Sequence, residues 1–209
     1  VRIGAKTSRI LGQAAKESGI VLSLHAPYAI NFSSEDRTKI TASKKRLFKA
    51  AVAARRMGAV HVTFHPGYYG KRTKEEVYQL QLRSISEVKK RLQRSGINVE
   101  LGPETTGKES QFGSLDEMLS ISREIWGVRP TIDFGHMHVR NVDSRIVERA
   151  DYQRILYRVE QELGAEKMNG LPVHFSEVEP TSSGIGERRH HELGSGYGPK
   201  FEGLADVIV

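Results

Sequence analysis

The feature that most constrains the fold of this chain is the alternation of short β-branched runs with longer stretches of helical periodicity. Each run has the length and composition of a buried strand. Strands that alternate with helices pair in parallel, because each helix returns the chain to the same end of the sheet. We therefore predict an α/β fold with a parallel sheet. The five runs are IVLSLH at 20–25, AVHVTFH at 59–65, INVELG at 97–102, VRPTIDF at 128–134 and LPVHFS at 171–176.

The segments between the runs predict helices with defined ends. Gly58, Gly96 and Gly164 close three of these segments, and glycine readily adopts the left-handed conformation that ends a helix. The segment 179–198 is rich in Gly and Ser, and we predict a long loop there. The four predicted helices lie at 44–58, 74–96, 114–125 and 151–164.

Composition narrows the class of function. A chain of 209 residues is long enough for one domain with a sizeable core, and we predict a single domain over 1–209. The absence of cysteine excludes disulfide frameworks, cysteine zinc fingers, iron–sulfur clusters and a thiol nucleophile. No apolar run approaches the roughly 20 residues that span a bilayer, so we expect a cytoplasmic protein without a membrane partner. We also expect a monomer. The net charge of +7 favours a polyanionic partner.

A residue of metal-ligand type stands at or near the end of each predicted strand. The carboxyl ends of parallel strands lie on one face of a sheet, so we expect these side chains to converge. Imidazole and carboxylate donors suit Zn²⁺ or a similar divalent ion such as Mn²⁺. Closely spaced ions are the usual means of hydrolysing a phosphodiester, because they activate water and stabilise the departing oxygen. The residues are His25, His65, Glu104, Asp133 and His174, at spacings of 40, 39, 29 and 41 residues.

Each of these residues taken alone also has a structural interpretation. A single histidine after a strand, such as His65, is more often an ordinary hydrogen-bonded residue. Asp133 can cap a turn, and Glu104 can stabilise a helix N-terminus through the helix dipole. We interpret His61 and His138 as structural or peripheral. The metal-site prediction therefore depends on the five positions together.

Six segments in register resemble the endonuclease IV family of apurinic/apyrimidinic (AP) endonucleases over nearly the whole chain. The resemblance implies a TIM (β/α)₈ barrel with up to three zinc ions. It also implies hydrolysis of damaged double-stranded DNA on the 5′ side of abasic sites, in base excision repair. Because five strands are visible, we expect an incomplete barrel without the first strands and the last. The segments are HAPYAIN (25–31), FHPG (64–67), PETTG (103–107), IDFGH (132–136), VHFS (173–176) and RRHHELGSG (188–196).

The resemblance implies a role for individual residues. Glu104 bridges two ions: the first also has His25 and His65 as ligands, and the second also has Asp133 and His174. The third ion has His136 and His190. Glu104, Asp133 and His136 are the expected catalytic residues. The expected substrate-binding residues are Tyr28, Asn31, Arg188, Arg189 and His191.

Two positions depart from the family pattern. The family has an aspartate ligand two residues before the position of His190, whereas this chain has Arg188 there and Glu187 just before it. We expect water, substrate phosphate or Glu187 to complete the third site. The family's last glutamate ligand has no counterpart before the final residue. On the DNA-binding surface we expect Arg140 beside the two neighbouring arginines, Arg188 and Arg189.

Two other functions fit parts of the pattern. A sugar isomerase or epimerase of the xylose isomerase type would use divalent metal on the same fold, but commonly with fewer histidine ligands. A catalytically degenerate relative would bind damaged DNA without cleaving it, as the arginine at position 188 suggests. Metal stoichiometry separates the three functions, because the nuclease predicts about three ions, the isomerase one or two, and the degenerate relative none.

Overall fold

The computed structural model describes residues 4–208, and its elements alternate as predicted. Five short strands carry the parallel sheet, and a hairpin follows them. The strands are β1 (Ser23–His25), β2 (His61–Phe64), β3 (Glu100–Pro103), β4 (Ile132–Asp133), β5 (Val173–His174), β6 (Glu177–Pro180) and β7 (Glu187–His191). The helices are α1 (Ala5–Glu17), α2 (Arg37–Met57), α3 (Lys74–Arg94), α4 (Leu115–Glu124), α5 (Phe134–Arg140), α6 (Arg149–Leu163), α7 (Ala165–Met168) and α8 (Phe201–Ile208).

The first five strands form an arc of parallel strands in chain order. β1 pairs with β2, and β2 pairs with β3. Parallel bridges join Leu101 to Val128 and Glu104 to Thr131, and β4 then pairs with β5. This arrangement confirms the predicted α/β class and its five strands. Between residues 4 and 208 no pairing joins β1 to β5, so the arc is open.

Two apolar clusters hold the helices against the outer face of the sheet. The larger cluster contains Leu47 from α2, Ile85 from α3 and Leu101 from β3, all without exposed surface. The smaller cluster lies under α6 and contains Phe134 and Tyr152. Burying each large apolar side chain contributes about 1.5–3 kcal/mol, so the strands form a rigid support for the residues at their ends. None of the helices in 4–208 is both long enough and apolar enough to cross a membrane.

The predicted loop over 179–198 was wrong, because much of it forms an antiparallel hairpin. β6 pairs with β7, and Glu177 lies opposite His191. The sequence of β7 is ERRHH. This segment has polar residues on both faces and lacks the alternation of apolar and polar residues that identifies a half-buried strand. Periodicity therefore could not detect it.

His61 is a structural residue of the sheet interior, as predicted. Its side chain lies over Gly102, where any Cβ would collide with the imidazole ring. Its Nε2 lies 3.0 Å from the hydroxyl of Thr131. Burial, assisted by the positive charge of Arg129, lowers the pKa of His61 to about 3. The ring is therefore neutral at physiological pH and shares a hydrogen bond with the threonine hydroxyl.

Candidate metal centre

Three imidazoles converge on the carboxylate of Glu104, as the strand-end spacing predicts. Glu104 follows β3, and its backbone N–H donates to the carbonyl of Phe64 at 3.0 Å, which fixes it at the end of the sheet. Its Oε2 lies 3.0 Å from Nε2 of His25 and 2.7 Å from Nε2 of His65. Its Oε1 lies 2.5 Å from Nδ1 of His174. Residues 79 positions apart in the chain thus meet at one carboxylate.

The electrostatics of this cluster favour a charged glutamate. Burial would raise the pKa of Glu104, but hydrogen bonds from His174, His25 and His65 outweigh it and hold the pKa well below its usual range. Burial would lower the pKa of His25, but the bond to Glu104 raises it overall. A carboxylate that is 1% exposed requires a nearby positive charge. A divalent cation among these donors would supply that charge without protonating the rings, so the donor set fits a metal ion.

Asp133 and His136 form a second group of donors at the start of α5. The Oδ1 of Asp133 accepts the backbone N–H of His136 at 2.8 Å, so this residue both caps the helix and faces the cluster. The Nδ1 of His136 lies 2.8 Å from the carbonyl of Thr105 and donates to it. A bond of this kind fixes the tautomer and leaves Nε2 as an unprotonated ligand atom. The predicted capping role and the predicted ligand role are therefore compatible.

The Nε2 atom of His136 faces a third group of donors on the hairpin. It lies 3.3 Å from Nε2 of His190 and 3.5 Å from Oε2 of Glu187. The Oε1 of Glu187 lies 3.2 Å from the same His190 atom. The hydrogen bond from His190 lowers the pKa of Glu187 to about 2. Two ring nitrogens and a carboxylate that point at one another form a set that suits a cation.

A β-bulge allows Glu187 and His190 to share one face of β7. Residues three apart in a regular strand point to opposite faces. Here Arg189 pairs with Glu179 while Glu187 pairs with Pro180, so Arg188 is an extra residue without a partner in the ladder. The extra residue changes the alternation of side chains, so that Glu187 and His190 point to the same face of β7. The sequence offers Glu187 as one of three ways to complete the third site. It does not single out Glu187, because a bulge leaves no periodic signal.

The donors form three overlapping groups in which the ligand atoms lie within 4.8 Å of one another. Glu104 belongs to the first and second groups, and His136 belongs to the second and third. His174 joins them through its contact with Glu104. The structure thus brings together all seven predicted ligand positions and adds Glu187. The groups are His25 with His65 and Glu104, Glu104 with Asp133 and His136, and His136 with Glu187 and His190.

Two expected substrate-binding residues lie in the loop after β1. Tyr28 is 73% exposed, and its ring centroid lies 4.8 Å from that of His65, so it stands at the mouth of the cluster. Asn31 is half-buried, and its Oδ1 accepts both the backbone N–H and the hydroxyl of Ser33 at 3.1 Å. Tyr28 is therefore placed to touch a substrate, whereas the Asn31 side chain orders its own loop.

The other three expected substrate-binding residues lie on β7. Arg188 and His191 both bind Glu179, through an ion pair and a 3.1 Å contact respectively. The ring of His191 also stacks on Tyr197 with 4.5 Å between centroids. Arg189 is exposed. The structure therefore does not bring Arg188 or His191 into the donor groups.

Arg140 is buried, so its expected place on a DNA-binding surface was wrong. Its Nη1 donates to the carbonyls of Thr106 and Lys108, both at 2.9 Å, and to the Thr106 hydroxyl at 2.7 Å. Its Nη2 donates to the carbonyl of Gln111 at 2.8 Å. The guanidinium thus ties the end of α5 to the loop that follows Glu104.

Arg140→Ala is expected to destabilise the protein by about 3 kcal/mol, because several buried acceptors lose their donor at once. The free energy of unfolding in urea measures the effect. Arg83→Ala is the matched control, since Arg83 is exposed on α3 and we expect a change within about 0.5 kcal/mol. Equal stability of the two variants would contradict a clamping role for Arg140.

Comparison with known proteins places the chain in a family. The family described as xylose isomerase-like TIM barrel matches residues 3–208. An uncharacterised protein of Methanocaldococcus jannaschii is 38% identical over 180 residues, which are 85% of this chain and 64% of that protein. "Probable endonuclease 4" of Acholeplasma laidlawii is 26% identical over 201 residues, 92% of this chain and 65% of that protein. The chain thus spans slightly less than two thirds of these curated relatives.

Solved structures show the same fold. Endonuclease IV from Thermus thermophilus superimposes with a TM-score of 0.70 at 22% identity, over 100% of this chain and 72% of that one. Sugar epimerases also match at lower identity. These likenesses agree with the parallel strands and the surrounding helices described above. The chain belongs to the xylose isomerase-like TIM barrel family.

Proposed function

We propose that this protein is a metal-dependent AP endonuclease that hydrolyses the DNA phosphodiester on the 5′ side of abasic sites. The observation that carries the proposal is the set of three overlapping donor groups that share Glu104 and His136. Adjacent cation sites are the usual means of hydrolysing a phosphodiester. The similarity to a relative named as an endonuclease 4 supports the choice of substrate.

The donor set indicates which ions the centre would hold. Imidazole nitrogens and carboxylate oxygens suit Zn²⁺, and Mn²⁺ is the second candidate. Bound ions supply the positive charge that activates water near neutral pH and stabilises the departing oxygen. Glu104, Asp133 and His136 would act by holding this charge against the scissile phosphate.

Neighbouring residues of the chain orient these donors. The carbonyl of Thr105 accepts Nδ1–H of His136, which turns Nε2 towards the cluster. The hydroxyl of Thr105 accepts the backbone N–H of Asp133 at 2.8 Å. Thr105 has no exposed surface, so these bonds do not compete with water. The ring of Tyr28 makes an edge contact with the ring of His65, with 4.8 Å between centroids.

A groove beside the donor groups offers a surface for the DNA backbone. It has a volume of about 450 Å³ and lies between the loops that follow β1 and β2. Its acidic residues Glu35 and Asp36 are outnumbered by its cations, and Asp36 is engaged in capping α2. We infer that this groove, rather than Arg140, contacts phosphates. The cations and the exposed aromatic residue of the groove are Lys39, Lys71, Arg72 and Tyr68.

The double variant Lys71→Ala, Arg72→Ala is expected to weaken binding of an abasic duplex. The log–log slope of affinity against salt should fall by about one unit for each phosphate that the variant no longer neutralises, because fewer counterions are released. Fluorescence anisotropy in chelator measures binding without cleavage. Lys90→Ala, at an exposed position outside the groove, is the matched control. Affinity of the unaltered protein that does not change with salt would contradict a nucleic-acid substrate.

The proposed activity is tested by incision of a duplex that contains one abasic site. We expect metal-dependent cleavage on the 5′ side of the lesion and none of the intact duplex. His65→Ala should abolish incision, because it removes a ligand of the first group. A protein that does not incise DNA, but holds one or two ions tightly and epimerises ketoses, would favour the sugar-enzyme alternative. Lesion binding without bound metal would favour a degenerate relative.

A further inference from the structure

A second groove lies at the opposite end of the strands from the donor groups. It has a volume of about 650 Å³. Val60 and Asn98 in its wall come just before β2 and β3, and Gly127 comes just before the Val128 bridge to β3. The groove thus lies against β2, β3 and the Val128 bridge, which are inner parts of the arc. The edge strands of the arc are β1 and β5.

Three cations line this groove without an ion pair among residues 4–208. They are Arg55, Lys89 and Lys167. The acid in the lining, Glu100, is paired with Arg129 instead. Lys89 is 3% exposed, and its ammonium donates one hydrogen bond, to the carbonyl of Val99 at 2.9 Å. The groove therefore has an excess of positive charge.

Helix C-termini offset only part of this charge. α2, α3 and α4 end near the groove, and each C-terminus carries the equivalent of about −0.5 elementary charge. Three such ends offset roughly half of the three full positive charges. Burial lowers the pKa of Lys89, attraction to Glu100 opposes this, and repulsion from Lys167 is the smallest of the three effects. A bound anion would offset the positive charge that remains in the groove lining.

An exposed aromatic ring stands beside the cations. Trp126 is 73% exposed, and the ammonium of Lys89 lies 5.5 Å from its ring centroid. Gly127 has a φ of 73°, and a Cβ there would collide with the Lys89 ammonium, so glycine leaves room for this contact. An exposed tryptophan beside positive charge is a platform on which a planar base can stack.

We propose that this groove binds a nucleotide, with its base on Trp126 and its phosphate among Arg55, Lys89 and Lys167. The shared chemistry is a planar ring joined to a phosphate, which either a free mononucleotide or the phosphorylated end of a single strand provides. The site contains none of the donor-group residues. The nucleotide site therefore does not depend on the proposed endonuclease activity, and a test of one does not decide the other.

Tryptophan fluorescence tests the proposal directly, because Trp126 is the only tryptophan of the chain. Adenosine monophosphate, adenosine and inorganic phosphate are titrated separately into the protein in chelator. We expect a saturable change with the monophosphate. Adenosine and phosphate should each bind at least about tenfold more weakly, since each lacks one of the two contacts. Equal binding of all three, or no saturable change and no heat in calorimetry, would overturn the proposal.

Charge-reversal variants locate the phosphate. Arg55→Glu and Lys167→Glu, at positions that are exposed and half-buried, should each weaken binding of the monophosphate about tenfold or more. Lys90→Glu is the control, because Lys90 is exposed beside Lys89 on α3 but lies outside the groove. Unchanged affinity in the first two variants would overturn the assignment.

A 5′-phosphorylated single strand identifies the source of the ligand. Binding tighter than that of the monophosphate, and abolished in Lys167→Glu, would identify a strand end. Equal or weaker binding would identify the free nucleotide. A strand that binds equally well to the unaltered protein and to Lys167→Glu would contradict the site.

Discussion

Glu104→Gln is expected to abolish metal-dependent strand cleavage and to remove ions from two adjacent sites. The substitution keeps the shape of the side chain but removes the charge that faces His25, His65 and His174. Because Glu104 belongs to two of the three donor groups, its loss affects both. We expect the affinity for these ions to fall by more than about 100-fold, which is the upper end of the cost of losing an outer-sphere partner.

Metal analysis and the incision assay on the same preparation measure this effect. Glu100→Gln is the matched control, because Glu100 lies at the other end of β3 and pairs with Arg129. The control should keep the metal content of the unaltered protein. Full cleavage by Glu104→Gln in metal-controlled buffer would show that the carboxylate is not a bridging ligand.

The convergence of the residues at the strand ends could be predicted from the sequence because parallel strands impose a simple geometry. His25 ends β1, and Asp133 ends β4. Once the apolar runs are identified as strands, the direction of the chain places these ends on one face of the sheet. Glu104 follows β3 by one residue and obeys the same rule. The fold class thus follows from periodicity, and five donors follow from periodicity together with residue type. His136 and His190 are expected from the family resemblance instead.

The positions of the charged residues in the loops could not be predicted in this way. Arg140 looks like a surface residue in the sequence, but four acceptors from the loop after β3 surround its guanidinium. These acceptors belong to Thr106, Lys108 and Gln111, and three of the four are backbone carbonyls. Backbone carbonyls are present at every position and leave no trace in composition. Burial of this kind becomes visible only when the loop path is known.

The hairpin shows a second limit of sequence patterns. β7 has Glu187 and His190 on one face, and Arg188 and His191 bind Glu179 of β6. Neither interaction requires an apolar residue, so the strand lacks its usual signal. The bulge at Arg188 then changes the spacing at which two side chains share a face. The bulge therefore brings Glu187 to the face that carries His190, although the two residues are three apart.

Glu187→Ala is expected to reduce the metal content by one ion per chain, or to weaken the binding of that ion about tenfold or more. Glu187 is the carboxylate of the third group, which otherwise contains the two imidazoles of His136 and His190. Inductively coupled plasma analysis after dialysis against graded chelator measures the loss. Glu192→Ala is the control, since Glu192 is exposed beyond the end of β7.

Two variants at position 188 test whether the bulge is what places Glu187 and His190 on one face of β7. Deleting Arg188 puts Glu187 two residues before His190, and side chains at that spacing share a face of a regular strand. The deletion should therefore retain the third ion. Arg188→Asp should leave the metal content unchanged, because residue 188 is the bulged position and its side chain pairs with Glu179 rather than with the donors. A folded deletion variant that lacks one ion would contradict the bulge as the cause of the shared face. An increase in metal content in Arg188→Asp would show that the carboxylate ligand belongs at position 188 and not at Glu187.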